Sequence, residues 1–318
     1  MVHRGSGELT EIGSGALPDG PDGPSGPDNP DGLALAVHVT ELAALRRRIG
    51  AGTLAAPHRA DSHVIILINR GRGRHTVDFE TLPCSAGTLL WVRQGQVQQF
   101  QSPSRLAGTQ IRFTATGHIG AGFPARLLDS RVAVSRRLTS SDHAEIGALV
   151  ESLAAEYARA DETHHRELLA HLLLALLLRI DRIDGIDRAA HPSDAGARTD
   201  EQELFERFED CLERDFARTR RTADYAGLLG CTIRSLNQAC ASTAGHTAKD
   251  LIDIRVQLEA KRLLATTDES LTVIGHRLGF SEASTFSRFF TRLAGVAPGE
   301  FRRGNPAAQH EKASTNQR

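Results

Sequence analysis

Apolar positions change their spacing twice along the chain. From Leu33 to about Arg131 they fall in short β-rich runs, "HVIILINRG", "GRHTVDFE", "GTLLWVRQGQVQQF" and "GTQIRFTA", punctuated by Gly and Pro. Short strands between turn residues predict a small antiparallel barrel or sandwich. After Ser141 the spacing becomes helical, with segments around Ala144–Arg159 and Thr163–Asp184. The second is apolar on most of its circumference (Leu168, Leu169, Leu172, Leu173, Leu176, Leu177, Ile180), more than one neighbour can cover. That excess predicts a deep intramolecular groove or a subunit interface, with Leu173 and Leu177 at its centre. "DGIDRAAHPSDAGART" reads as a linker, and everything from Asp200 to about Gly304 as helices. The predicted class is α+β multidomain, divided into a disordered tail 1–32, a barrel 33–135, a helical hairpin 136–184, a linker 185–199, a helical domain 200–304 and a second disordered tail 305–318.

Within the helical domain, Leu204, Phe208, Cys211 and Leu212 make one amphipathic stripe. Thr222 is positioned to cap a short helix, Gly230 to turn the chain, and Thr232 to open a second helix with Ile233, Leu236 and Cys240 inward. Helix, tight turn with Gly, helix is the helix-turn-helix shape. The grammar recurs in "LTVIGHRLGFSEASTFSRFFTRL", where Gly279 stops one helix and Ser281 is positioned to cap the next. There Ala283, Phe286, Phe290 and Leu293 face inward and Ser284, Arg288 and Arg292 outward; matching Ser284 with Thr232 separates the copies by 52 residues. In the first copy Arg234, Asn237, Gln238 and Ala241 form the outward stripe. The helix between the copies, from about Ala248 to Thr266, would be roughly 28 Å long at about 1.5 Å per residue. One turn of B-DNA is about 34 Å, so two helices held apart by that rod can enter successive major grooves on one side of a duplex.

Charge sharpens this only when partitioned. The whole chain carries a net charge of −1, whereas residues 216–304 hold 13 basic residues against eight acidic ones, and residues 200–215 hold eight acids against Arg207 and Arg214. The acidic helix is expected to face away from DNA, and phosphate affinity to be moderate and salt-sensitive. The four cysteines show no CxxC spacing, which favours reduced, cytosolic thiols and a cytoplasmic location. The most apolar run, "LLAHLLLALLLRI", has 13 residues including His171, too short to span a bilayer, and no signal-peptide pattern opens the chain.

At this point two stretches resemble a known family. "RSLNQACASTAGHTAKDLIDIRVQLEAKRLL" and "LTVIGHRLGFSEASTFSRFFTRLAGVAPGEFRR" are similar to the AraC/XylS family of transcription regulators. The landmarks are Arg255, Leu258, Ala260, Leu263 and Leu264 in the rod, then Gly279-Phe280-Ser281, Phe286-Ser287-Arg288, Phe290, Gly295, Pro298, Phe301 and Arg302. The resemblance implies a seven-helix domain that reads double-stranded DNA through the major groove, with Arg234, Asn237 and Gln238 facing bases in the first copy and Ser284, Thr285 and Arg288 in the second. Arg bridging guanine, or Asn and Gln pairing with adenine, gives about 1–3 kcal/mol of discrimination per contact. Gln238 stands where the family often has a basic residue, and Ala239-Cys240-Ala241 replaces a bulkier run. The N-terminal half is similar to the cupin-like sensor domain attached to many such regulators, and its hairpin sits where those proteins dimerise. A homodimer, a small-molecule effector and contact with RNA polymerase are the partners this implies.

Other chemistry is weaker. A metal-binding cupin needs clustered His ligands, but His58 and His63 are five apart and Gln98 stands where a later His is required, so no metal or cofactor is expected. His58, Trp91, Arg93 and Gln98 are the candidate lining of an effector pocket, against the plainer reading of Trp91 as core and Arg93 as a solvated loop residue. Arg292 extends the outward face of the second copy, and Arg255 either meets DNA or forms an internal salt bridge with an acid such as Asp224. A regulator without an enzymatic step is the leading expectation; a cupin-type enzyme fused to a DNA-binding domain, or a barrel serving only oligomerisation, are the alternatives.

Overall fold

A computed structural model of the 318-residue chain describes residues 37–101, 105–114, 134–159, 163–190 and 199–304, with the side chains of 184–190 left aside. Both predicted tails, and most of the predicted linker, lie outside these residues.

The N-terminal domain is a rolled antiparallel sheet of eight strands: β1 (Val37–Glu41), β2 (His58–Arg59), β3 (His63–Val77), β4 (Glu80–Ser85), β5 (Thr88–Val92), β6 (Val97–Gln101), β7 (Leu106–Phe113) and β8 (Ser135–Arg137). Strand β3 organises it. Its first half lies between β5 and β7, its second half between β4 and β6, and a register shift between Ile68 and Arg70 bends it from one set of partners to the other. Every residue from His63 to Ile68 and from Thr88 to Val92 is buried, because these strands are covered on both faces. Val64, Ile66, Ile68, Leu90 and Val92 fill the interior of the roll, while Ile65, Leu67, Leu89 and Trp91 point outward under the helices α3 (Ser140–Tyr157) and α4 (His165–Ala190). Two features depart from the expectations for this half. The stretch predicted as strands contains helices α1 (Leu42–Ile49) and α2 (Ala51–Ala55), whose Leu42, Leu45 and Leu54 plug the roll. Helix α4 runs to Ala190, into the segment predicted as linker.

The apolar excess of α4 is spent mostly inside the protomer. Leu169, Leu173, Leu176, Leu177 and Ile180 are buried against the sheet, so Leu173 and Leu177 are core residues and not an interface; Leu168 and Leu178 remain exposed.

The C-terminal domain is helical: α5 (Asp200–Asp215), α6 (Thr222–Leu229), α7 (Ile233–Ala244), α8 (Ala248–Thr266), α9 (Leu271–Arg277), α10 (Ala283–Ala294) and α11 (Pro298–Gly304). Helix α8 coincides with the predicted rod. Its Ile252, Val256, Ala260, Leu263 and Leu264 join one core with Phe208 and Tyr225 on one side and Phe286 and Phe290 on the other. Capping boxes at Thr199 and Thr247 fix the starts of α5 and α8.

The two domains meet through ionic contacts on the C-terminal half of α8 and an aromatic contact on α11. Arg262 makes a bidentate pair with Asp78 in the β3–β4 turn (Nε to Oδ1 2.8 Å, Nη2 to Oδ2 2.6 Å), and Asp78 also accepts from Gln96 and the Val97 N–H. Arg59 of β2 reaches Glu259 at 2.7 Å, and Phe79 sits edge-on to Phe301 at 5.6 Å. Burial alone would push the Glu259 carboxyl up, but Arg59, Arg255 and Arg262 hold it below the ordinary carboxylate value.

Candidate nucleic-acid interface

In the first helix-turn-helix unit, α6 ends on Gly230 in the left-handed region (φ 66) and α7 starts behind Thr232, whose side chain accepts the Ser235 N–H at 3.0 Å. Arg221, not Thr222, occupies the cap position of α6, and its side chain makes no capping hydrogen bond. Leu236, Ala239 and Cys240 face the core; burial, with Glu209 and Cys231 nearby, pushes the Cys240 thiol up to about 12. Ile233, expected inward, is 47% exposed, because the whole first turn of α7 projects beyond the packed core. Arg234 and Gln238 are exposed on the outer face. Asn237 is only half so, since its Oδ1 accepts the Ala248 N–H at the start of α8 (3.1 Å).

In the second unit Ser270 caps α9, Gly279 takes φ 75, and α10 starts at Ala283 behind Glu282. Ser281 is therefore one residue too early to cap; Glu282 supplies no side-chain cap either, and its carboxylate accepts from the Ser284 hydroxyl at 3.0 Å. Phe286 and Phe290 are fully buried among Phe280, Phe289 and Phe301. Ser284, Arg288 and Arg292 are exposed and Thr285 partly so. The buried and outward stripes of "FSEASTFSRFFTRL" thus divide as the 3.6-residue period requires.

Cap positions Thr232 and Glu282, and terminal left-handed glycines Gly245 and Gly295, are each 50 residues apart, which corrects the 52-residue match made on Thr232 and Ser284. In this register Arg234 corresponds to Ser284, Gln238 to Arg288, Ser242 to Arg292, and Ser235 to Thr285. Ser235, exposed at the front of α7, was not singled out from sequence; the shared cap spacing is the signal that locates it.

Helix α8 fixes both outer faces relative to each other. It receives Asn237 at its first residue, and its buried Asp253 accepts from Arg292 of α10 at 3.1 Å and from Lys249. Arg255 belongs to the interior of this arrangement. Its guanidinium pairs with Glu213 (2.9 Å) and Glu259 (3.4 Å) and lies 3.8 Å over the Phe216 ring. Its acids are Glu213 and Glu259, while Asp224 is bonded to Thr219.

The four effector-pocket candidates separate. His58 and Gln98 face each other across the β2–β6 pair, beside a cavity of about 20 Å³ also bordered by Val64, Phe100 and Gln110. That is room for one water. Trp91 points the opposite way, fully buried beneath the hairpin, and Arg93 is buried, stacked 4.1 Å from the Trp91 ring and donating to the Trp91 carbonyl. Strand alternation explains the split: odd-numbered residues of β5 face the hairpin. His63 also lies on that side, stacked on Phe113 at 5.0 Å, so it shares no site with His58. Burial depresses the His58 imidazole, and takes His63 to about 4 and the wholly enclosed His75 to about 3, with Arg93 and His58 respectively adding to the effect. Among the described residues no group of three or more His, Cys, Asp or Glu is placed to hold a metal ion.

An AraC-like ligand binding domain model matches residues 45–178, and a helix-turn-helix domain model matches residues 225–304. The chain is 25% identical over 258 residues to the HTH-type transcriptional activator RhaS of an Enterobacter species, covering 79% of this chain and 88% of that protein. RhaS of Citrobacter koseri is 24% identical over 257 residues, with the same coverage. Among solved structures, ToxT from Vibrio cholerae covers 84% of this chain and 96% of its own at 15% identity, with a TM-score of 0.40. The chain belongs to the AraC family: it is a DNA-binding transcription regulator with a ligand-binding domain ahead of its helix-turn-helix domain.

Proposed function

We propose that α7 and α10 read two successive major-groove segments, with Arg234, Asn237 and Gln238 on the first and Ser284, Thr285 and Arg288, flanked by Arg292, on the second. The observation that carries this reading is the attachment of both helices to one rod, α7 through Asn237 and α10 through Asp253. A rigid spacing lets each contact discriminate without first ordering the domain. Arg255 is left out of the set, because its guanidinium is committed to Glu213 and Glu259. Arg288→Ala is expected to lose about tenfold in binding to a duplex selected by the wild-type protein, with its melting curve unchanged. An unaltered footprint in that variant would remove Arg288 from the reading face.

The proposed effector site is the His58–Gln98 end of the roll. With room for one water, it must open to admit a ligand, and β2 couples that opening to DNA binding: His58 faces the cavity while the next residue, Arg59, holds Glu259 of α8. A metabolite that changes DNA affinity in the wild type should have no such effect on Arg59→Ala; a full response in that variant would break the coupling. Assembly as a homodimer is proposed through the exposed line Leu168, Ala175 and Leu178 of α4, and Leu178→Arg should then sediment as a monomer. Two copies would place four reading helices on one operator. The RhaS relatives are named as activators, and activation through contact with RNA polymerase is our reading for this chain. Among the described residues no helix is long and apolar enough to cross a membrane.

A further inference from the structure

A hollow of about 420 Å³ opens in the helical domain, bordered by Arg218, Arg220, Arg221 and Lys249 and by Thr285 and Phe289 of α10. Its lining includes four cationic side chains and no carboxylate. Its place is set by one contact already described and by the position of α10. Lys249 follows Ala248, whose N–H is held by Asn237 of α7, and Thr285 belongs to the outer face of α10. The hollow therefore borders α10 directly and lies one residue along α8 from the point where α7 is held.

When two helices occupy successive major grooves on one side of a duplex, the intervening surface that faces the protein is the minor groove with its two phosphodiester strands. We infer that the hollow formed by Arg218, Arg220, Arg221 and Lys249 seats backbone phosphates of the DNA between the two grooves. This rests on the two-groove reading proposed above and adds a sequence-independent anchor to it.

The local construction suits an anion. The Arg220 guanidinium carbon lies over the Phe280 ring, 3.4 Å from its centre, and the group donates to the Gly279 carbonyl at 3.3 Å, which anchors the fork. Burial lowers the pKa of Arg220, with Asp253 opposing that effect, and an anion would relieve the unfavourable burial of its charge. Arg221 stands at the start of α6 without a side-chain cap, whereas Thr232, Thr247 and Ser270 cap α7, α8 and α9. The first-turn N–H groups of α6 thus add their partial positive charge beside the hollow. The acids nearby are occupied: Asp215 pairs with Arg214 and Arg218, Asp224 with Thr219, and Asp253 with Lys249 and Arg292.

The test uses the full-length protein and the double variant Arg218→Ala/Arg221→Ala. Both side chains belong to exposed residues, so the fold should survive, and a melting curve checks it. Binding is measured on a duplex selected by the wild type and on a scrambled duplex, across a salt series. A phosphate seat predicts about tenfold weaker binding to both duplexes, an unchanged ratio between them, and a salt slope smaller by about two. Unchanged affinity and slope in a folded variant would overturn the proposal, and so would a loss confined to the selected duplex, which marks base reading instead. Arg221→Glu is the second arm and should weaken both duplexes further; no further loss would equally count against the seat. Arg288→Ala, run alongside, keeps the two ideas apart: if it leaves the ratio unchanged while the double variant lowers the salt slope, Arg288 leaves the reading face and the seat stands.

Discussion

The two helix-turn-helix units share a local grammar and differ in what supports it. In the first, Gly230 turns the chain with nothing within 4 Å of where a Cβ would be. In the second, a Cβ on Gly279 would lie 2.8 Å from the Ala217 carbonyl oxygen, so this turn is docked onto the loop that leads into the first unit. The reading helices differ likewise. Helix α7 buries Leu236, Ala239 and Cys240, whereas α10 buries Phe286 and Phe290 within a five-ring aromatic cluster. Two copies of one motif are therefore not equivalent modules: the second is wedged between its partner and α8, and the first is tied to the start of α8 by the Asn237–Ala248 bond.

The sharpest way to break this comparison is to add one methyl group to each turn. Gly279→Ala combines left-handed strain with a backbone clash and is expected to destabilise by about 3 kcal/mol, against about 1 kcal/mol for Gly230→Ala, where only the strain applies. Equal shifts in chemical denaturation would mean the second turn is no more tightly docked than the first. A smaller effect tests the anchor of the first unit. Asn237→Ala removes the acceptor for the Ala248 N–H at the start of α8 and should cost about 1 kcal/mol, while Ser287→Ala at the equivalent position of α10 should be close to neutral. A neutral Asn237→Ala would make Asn237 a reader alone.

Much of the helical domain was legible because its signals are local. The rod from Ala248 to Thr266, the glycines at 230 and 279, and the Phe286/Phe290 stripe all follow from cap residues, left-handed glycines and a 3.6-residue period. The caps expected at Thr222 and Ser281 are each one residue off, and the larger departures arise where tertiary support decides. Ile233 has the spacing of a core residue, but the turn that carries it leaves the core. The barrel pocket was the least legible part. Trp91 and His58 are both suitable lining residues by type, yet the roll puts them on opposite faces of one sheet. For Leu173 and Leu177 the sequence leaves an intramolecular groove and a subunit interface open for a related reason: the sheet that absorbs their apolar excess is distant in sequence.

By itself the sequence determined the two-part architecture, the repeated helix-turn-helix units and which side of α10 stays polar, because propensity, capping and periodicity act within a few residues. Only the tertiary structure decided that Arg255 is internal, that Arg59 and Arg262 join the sensor to the rod, and that four cations line one hollow beside α10. The physical reason is range. A carboxylate or a sheet face brought up from as far as 184 residues away, as Asp78 is to Arg262, leaves no mark on the local pattern that it completes.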